Sequence, residues 1–284
     1  MNAYFRNSLP VVLLVAAPAL FAADDASKLT SEQMEKFLAT AKIVKIKDLS
    51  TGVTNSRRAT LSDGNITHDA HLQSIDEAKA KFEGERGTEM NFRDTWKFNV
   101  AAYRLARILG IEDMIPMSVQ RKVNGADCAV TWWIDGSMME VDRKKKNLES
   151  PDKEAWNREM YVLRVFDQLI YNVDRNLQNL IIDPEWHIWM IDHTRSFRLY
   201  NTLQEKKNLV MCDRGLLAKL RTLDTASLKQ LKPYVTDQEI KGLLARRDKI
   251  VKFFDEEIAS KGEDKVLYDR PSRHAASSTH PSAE

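Results

Sequence analysis

Glycine, cysteine, long apolar runs and an excess of either charge are all scarce in this chain of 284 residues. Ten glycines leave little room for a glycine-rich nucleotide loop of the usual density. Two cysteines, Cys128 and Cys212, exclude a four-cysteine zinc site and a fold built on disulfides. Nothing in their spacing demands a bond between them. Lys plus Arg number 43 against 41 Asp plus Glu, and so even a balance speaks against a dedicated nucleic-acid binder, which carries a basic excess on one face. No run approaches the roughly 18–20 apolar residues of a stable membrane span. What the chain does have is 43% hydrophobic residues, enough for one large domain or two lobes, and six tryptophans.

The longest apolar run covers residues 11–23, is interrupted by Pro18, and follows Arg6. With Ala19, Ala22 and Ala23 ahead of Asp24 and Asp25, residues 1–23 read as a signal peptide. The protein is then exported, to a periplasm, a secretory lumen or the medium; a retained anchor or a misassigned start is the alternative. At the other end, residues 270–284 are mostly Ser, Pro, His and Ala with little apolar content, which predicts a disordered tail.

Between these ends the pattern divides. Thr30 and Gln33 form a capping box for a helix through Thr40. Strands are expected at 41–47, 57–61 and 66–75, separated by turns at 50–54 and 62–65. The charged segment 76–90 reads as loop. Residues 97–109 form an amphipathic helix stopped by Gly110, and 118–123 with 128–134 form a hairpin about Asn124-Gly125. After Ser150, an N-cap followed by Pro151, a long helix runs to about Asn172. A loop, a short hairpin (180–182 and 187–191) and further helices follow, the last opened by the capping box of Thr236 and Glu239. The expected fold is α+β and bilobal. A small antiparallel sheet with one main helix (28–134) precedes a mostly helical lobe (135–268).

The chemistry concentrates in residues 167–197. Asp174 and Asn179 lie five apart after the long helix, and the second hairpin strand runs into Ile191-Asp192-His193. Phosphoryl transfer needs hard oxygen ligands for Mg²⁺ and a carboxylate to orient the attacking hydroxyl, and this spacing supplies both. The alternative makes Asp174-Arg175 a structural ion pair, with Asn172 and Asn179 as helix-end caps. His193 either positions Asp192 or bonds backbone.

N-V-D-R-N-L-Q-N (172–179), I-D-H-T-R-S-F (191–197) and the segment 100–121 resemble the atypical kinases of the HipA, secreted Golgi casein-kinase and type II phosphatidylinositol 4-kinase kind. The resemblance implies a bilobal protein-kinase-like fold, ATP as donor, and Mg²⁺ or Mn²⁺ as cofactor. By matched position it implies Asp174 as the catalytic carboxylate, braced by Arg175, with Asn179 and Asp192 as metal ligands. The family's strand Lys and helix Glu are replaced by Gln73 and Asn99, a pair of amides able to bond each other. Lys79, Lys81 or Lys97 are substitutes for the cation and Glu89 for the acid. Gly52 and Thr54 fall in the turn where a phosphate-covering loop belongs, and backbone amides there can cradle phosphates.

The leading expectation is an exported phosphotransferase that moves the ATP γ-phosphate to a protein or small-molecule hydroxyl. A kinase-like binding module without turnover (a pseudokinase) is the rival. A lipid kinase comes third, hinted at only by the basic run 143–146, which otherwise reads as a solvated loop. Trp132 and Trp133 fall where a connection between lobes runs. His68 and His71, three apart on a strand, point to opposite faces. Arg246 and Arg247 read as a solvated helix face.

Overall fold

The computed structural model describes residues 29–49, 56–84 and 87–271. The signal-peptide and tail expectations for 1–23 and 272–284, and Gly52 with Thr54, lie outside the described residues.

Helix α1 (Ser31–Thr40) opens on the expected reciprocal cap: the Thr30 hydroxyl accepts from the Gln33 amide, and the Gln33 side chain accepts from the Thr30 amide. Its buried residues Phe37 and Leu38 join the core beneath the main sheet. Strands β1 (Lys42–Asp48), β2 (Arg57–Ser62) and β3 (Thr67–Gln73) form a meander. Strands β6 (Ser118–Val123) and β7 (Ala126–Trp132) complete it, in the order β1-β2-β3-β7-β6 with every pair antiparallel. Helix α2 (Lys97–Leu109) comes between β3 and β6 in the chain, buries Phe98, Val100, Ala101, Ala102, Leu105 and Leu109, and stops at Gly110 with φ 72°. The main sheet thus draws three of its strands from before α2 and two from after it.

One segment departs from expectation. Residues 76–90 belong to a hairpin, β4 (Asp76–Gly84) with β5 (Gly87–Thr95), which makes a separate two-stranded sheet. Strand β4 is exposed on both faces apart from a half-buried Phe82, so it has no alternation of buried and exposed positions to betray it. Phe82 stacks on Phe92 at 4.2 Å between centroids, and the hairpin ladder does the rest.

The second half is helical. A short strand β8 (Met138–Met139) leads into α3 (Glu140–Lys145), then α4 (Lys153–Ile170), the hairpin β9 (Leu180–Ile182) and β10 (Ile188–Met190), strand β11 (Cys212–Asp213), α5 (Arg214–Thr222), α6 (Asp237–Lys261) and β12 (Leu267–Tyr268). The N-cap of α4 is Asp152 rather than Ser150, because one carboxylate oxygen accepts from both the Glu154 and Ala155 amides. The capping box of Thr236 and Glu239 opens α6 as expected. The basic run is not a loop: it is α3, where Arg143 forks onto Glu140 and its guanidinium lies over Trp156. Arg246 is fully buried instead of solvated, and donates to the carbonyls of Leu169, Arg198 and Tyr200. Burial without a carboxylate partner pushes it down to about 10. Arg270 is also ordered, held in a bidentate pair with buried Asp113. Cys128 and Cys212 are both free and buried. Among the described residues no helix is long and apolar enough to cross a membrane.

Candidate active site

A cleft of about 240 Å³ opens where the main sheet faces the β9–β10 hairpin. One wall is the end of β7 and the connection after it, Trp132 to Ile134; opposite lie Met190, Ile191 and Asp192. The connection leaves the sheet under backbone control, with the Trp132 amide on the Met117 carbonyl and the Trp133 amide on the Asp69 carbonyl.

Asn179 and Asp192 both line this cleft. They are brought together because the loop after α4 and the end of β10 share one brace. Helix α4 ends at Tyr171 with φ 51°, turning the chain through Asn172 into the loop. Arg175 then makes a fork onto Asp167 of α4, at 2.9 and 3.0 Å. The same guanidinium donates to the Asn179 carbonyl (2.6 Å) and the Ile191 carbonyl (2.8 Å), the residues at or beside the two cleft groups. It also donates to His193 Nε2 at 3.1 Å. Burial, with Arg175 beside it, holds His193 well below the usual imidazole range, so the ring stays neutral and accepts.

Asp174 lies next to the brace and outside the cleft lining. Its carbonyl takes the Asn179 side-chain amide at 2.8 Å, and its own amide donates to Asn172. Its carboxylate has no hydrogen-bond partner among the described residues. Asn179, with its Nδ2 so engaged, keeps its amide oxygen for another partner. Asp192 adopts φ 52°, a left-handed conformation held locally by the Thr194 hydroxyl on its Oδ1 at 2.9 Å. The donor set is thus one carboxylate and one amide oxygen. No group of three His, Cys, Asp or Glu side chains able to hold a metal occurs among the described residues. Hard oxygen donors of this number fit Mg²⁺ or Mn²⁺, which is held by one or two carboxylates with substrate phosphates completing the shell.

Gln73 and Asn99 are buried, and their hydrogen bonds run to other partners than each other. The Gln73 side-chain oxygen Oε1 accepts from the Ile75 amide, and its Nε2 donates to the Ser56 hydroxyl. Asn99 lines the cleft and accepts from the His193 amide at 2.7 Å, fixing α2 against the residue after Asp192. The alternative lysines are engaged elsewhere: Lys79 with Glu77, Lys81 with Glu83, Lys97 with Asp76. Glu89 pairs with Arg198.

Sequence reasoning missed two groups here. His71 lines the cleft, where burial lowers it and the field of Asp192 opposes that shift. Asp94 at the end of β5 is buried, and burial, helped by Asp192, raises its carboxyl. His71 was legible as the cleft-facing position of β3; Asp94 belongs to the unrecognised hairpin and gave no signal.

No family model matches the chain, and no curated protein matches it. Among solved structures, a proinflammatory kinase of Helicobacter pylori, CtkA, matches over 78% of this chain and 97% of its own, with 12% identity and a TM-score of 0.47. So slight a likeness carries no argument for function; the α+β layout, an antiparallel sheet first and helices after it, is consistent with a kinase-like fold.

Proposed function

We propose that the chain is an exported, kinase-like phosphotransferase that uses ATP with Mg²⁺ or Mn²⁺ on a protein or small-molecule hydroxyl. The observation that carries this reading is the shared brace: Arg175 holds the Asn179 and Ile191 carbonyls together, which sets Asn179 and Asp192 on one cleft beside an unpartnered Asp174 carboxylate. In this reading the purine lies against the Trp132–Ile134 wall. Asn179 and Asp192 would hold the metal, which would supply positive charge for the phosphate oxygens. Asp174 orients the acceptor hydroxyl and takes its proton, while Arg175 keeps the two loops in register and excludes slack between them.

The test is thermal unfolding with ATP and Mg²⁺ or Mn²⁺, beside release of γ-phosphate. Wild type is expected to gain melting temperature only when metal and nucleotide are both present, and Asp192→Asn to lose that gain. Asp174→Asn should keep binding and lose turnover. A wild type without any metal-dependent gain refutes the proposal.

A second reading, binding without turnover, is favoured by one observation: no Lys or Arg lines the cleft among the described residues. Binding with intact Asp174 and no phosphate release to any hydroxyl acceptor would select it.

A further inference from the structure

His68 is the peg about which the connection between the sheet and the helical half is wound. Its ring is buried at the start of β3 and stacks on Trp132, 3.8 Å between centroids and 16° from parallel. Nδ1 lies 2.8 Å from the Asp69 carbonyl, and Nε2 lies 2.9 Å from the Asp135 carboxylate. Both neighbours are acceptors only. A neutral imidazole has one N–H and satisfies one of them; the imidazolium donates to both. The Asp69 carbonyl is also the acceptor of the Trp133 amide. One ring therefore touches Trp132, shares an acceptor with Trp133 and meets Asp135, so it spans the connection that forms one wall of the cleft.

We infer that His68 is a positioning residue for the nucleotide wall, its ring and two nitrogens tying residues 132–135 to β3 in the shape the ligand needs. The role rests on the nucleotide reading above; the ion pair does not. The charged groups around the ring are few. Asp135 approaches from the connection, with its side chain 66% exposed. Asp69 of β3 has its carboxylate on Arg58 of β2 at 2.6 Å, and that guanidinium lies over Trp133. From α1 the ring meeting Trp132 is Phe37, and β2 places Leu61 opposite His68; both are apolar.

The experiment uses the purified full chain and reads adenine-nucleotide affinity, with Mg²⁺, beside urea unfolding, in wild type, His68→Gln, Asp135→Asn and the double variant. His68→Gln removes the stacked ring, and Asp135→Asn, at an exposed position, removes the charge and keeps an acceptor. Each single change should weaken nucleotide binding about fivefold, the equivalent of one hydrogen bond, and the double variant should bind no more weakly than the worse single one. Single variants with wild-type affinity, or losses that simply add in the double variant, overturn the positioning role. Unfolding free energies that add across the same four proteins overturn the contact between His68 and Asp135 itself. A wild type that binds no nucleotide overturns the positioning role through the nucleotide reading, while non-additive unfolding leaves the contact standing.

Discussion

Replacing Arg175 by Met tests whether one guanidinium holds the site together. Arg175 and Asp167 are each 11% exposed in their side chains, and the fork between them is the charged centre of the brace. Removing the cation leaves the Asp167 carboxylate buried with only the Asn172 amide, at 3.1 Å, to compensate it. Breaking a buried pair from one side costs about 3–5 kcal/mol. In a domain of this size that is a fall of roughly 6–20 °C in melting temperature. The carbonyls of Asn179 and Ile191 lose their shared donor as well, so metal-dependent nucleotide binding should weaken further than stability alone dictates. Asp167→Leu with Arg175→Met removes both charges, and should be less damaging than the sum of its parts by about 1–3 kcal/mol. Arg175→Lys brings a charge without the fork and should not restore the wild type. Urea unfolding of wild type, Arg175→Met, Asp167→Leu and the double variant closes the cycle. An Arg175→Met protein within about 1 kcal/mol of wild type, the worth of one ordinary hydrogen bond, would refute the brace.

Stability should fall as the pH drops below 6.5. His193 and His71 are both lowered from that value by burial, so the unfolded chain takes up protons that the folded chain resists. The slope should reach about 1.4 kcal/mol per pH unit for each ring, read from urea unfolding between pH 7.5 and 5.5; His193→Gln should flatten it. Arg270→Met should cost about 3–5 kcal/mol, because it leaves Asp113 buried without its bidentate partner. Thermal melts of that variant beside one shortened after residue 271 separate the anchor from the last thirteen or so residues of the chain, and only the anchor should matter.

Much of the architecture was legible because local chemistry and tertiary packing agreed. The caps at Thr30 and Thr236, the stop at Gly110 and the hairpin between Ile182 and Ile188 are short-range devices, and each stands where the residues say. The hairpin of β4 and β5 was hidden because burial is what gives a strand its alternation, and β4 is almost wholly exposed. Arg246 was misread for the converse reason. On a helix of alternating charge an arginine looks solvated, and only the arrival of three carbonyls, from residues 169, 198 and 200, makes its burial tolerable. Asn99 shows the same limit within the site: its partner is the His193 amide, 94 positions away in the chain. The residue types and spacing of Asp174, Asn179 and Asp192 were readable; the Asp167–Arg175 brace that unites them was not.

The lack of a fixed cation among the described residues that line the cleft can be tested electrostatically. Among the cleft's described lining residues, Asp192 alone carries a formal charge at neutral pH, and residues 50–55 add none. Lys79, Lys81 and Lys97 are tied to carboxylates elsewhere. A triphosphate entering without metal therefore meets a carboxylate and no fixed cation, and a like-charge contact at 4 Å costs about 4 kcal/mol at an effective dielectric of 20. Adenosine should then bind at least as tightly as ATP when divalent ions are absent, with the order reversed once Mn²⁺ is present. Asp192→Asn should act with opposite signs under the two conditions: it improves metal-free ATP binding by removing the repulsion, and weakens binding with Mn²⁺ by removing a ligand. Calorimetric titration of both compounds, with and without Mn²⁺, measures all four cases. Metal-free ATP that outbinds adenosine would mean that a cation reaches the phosphates after all, and the argument from the lining would fail.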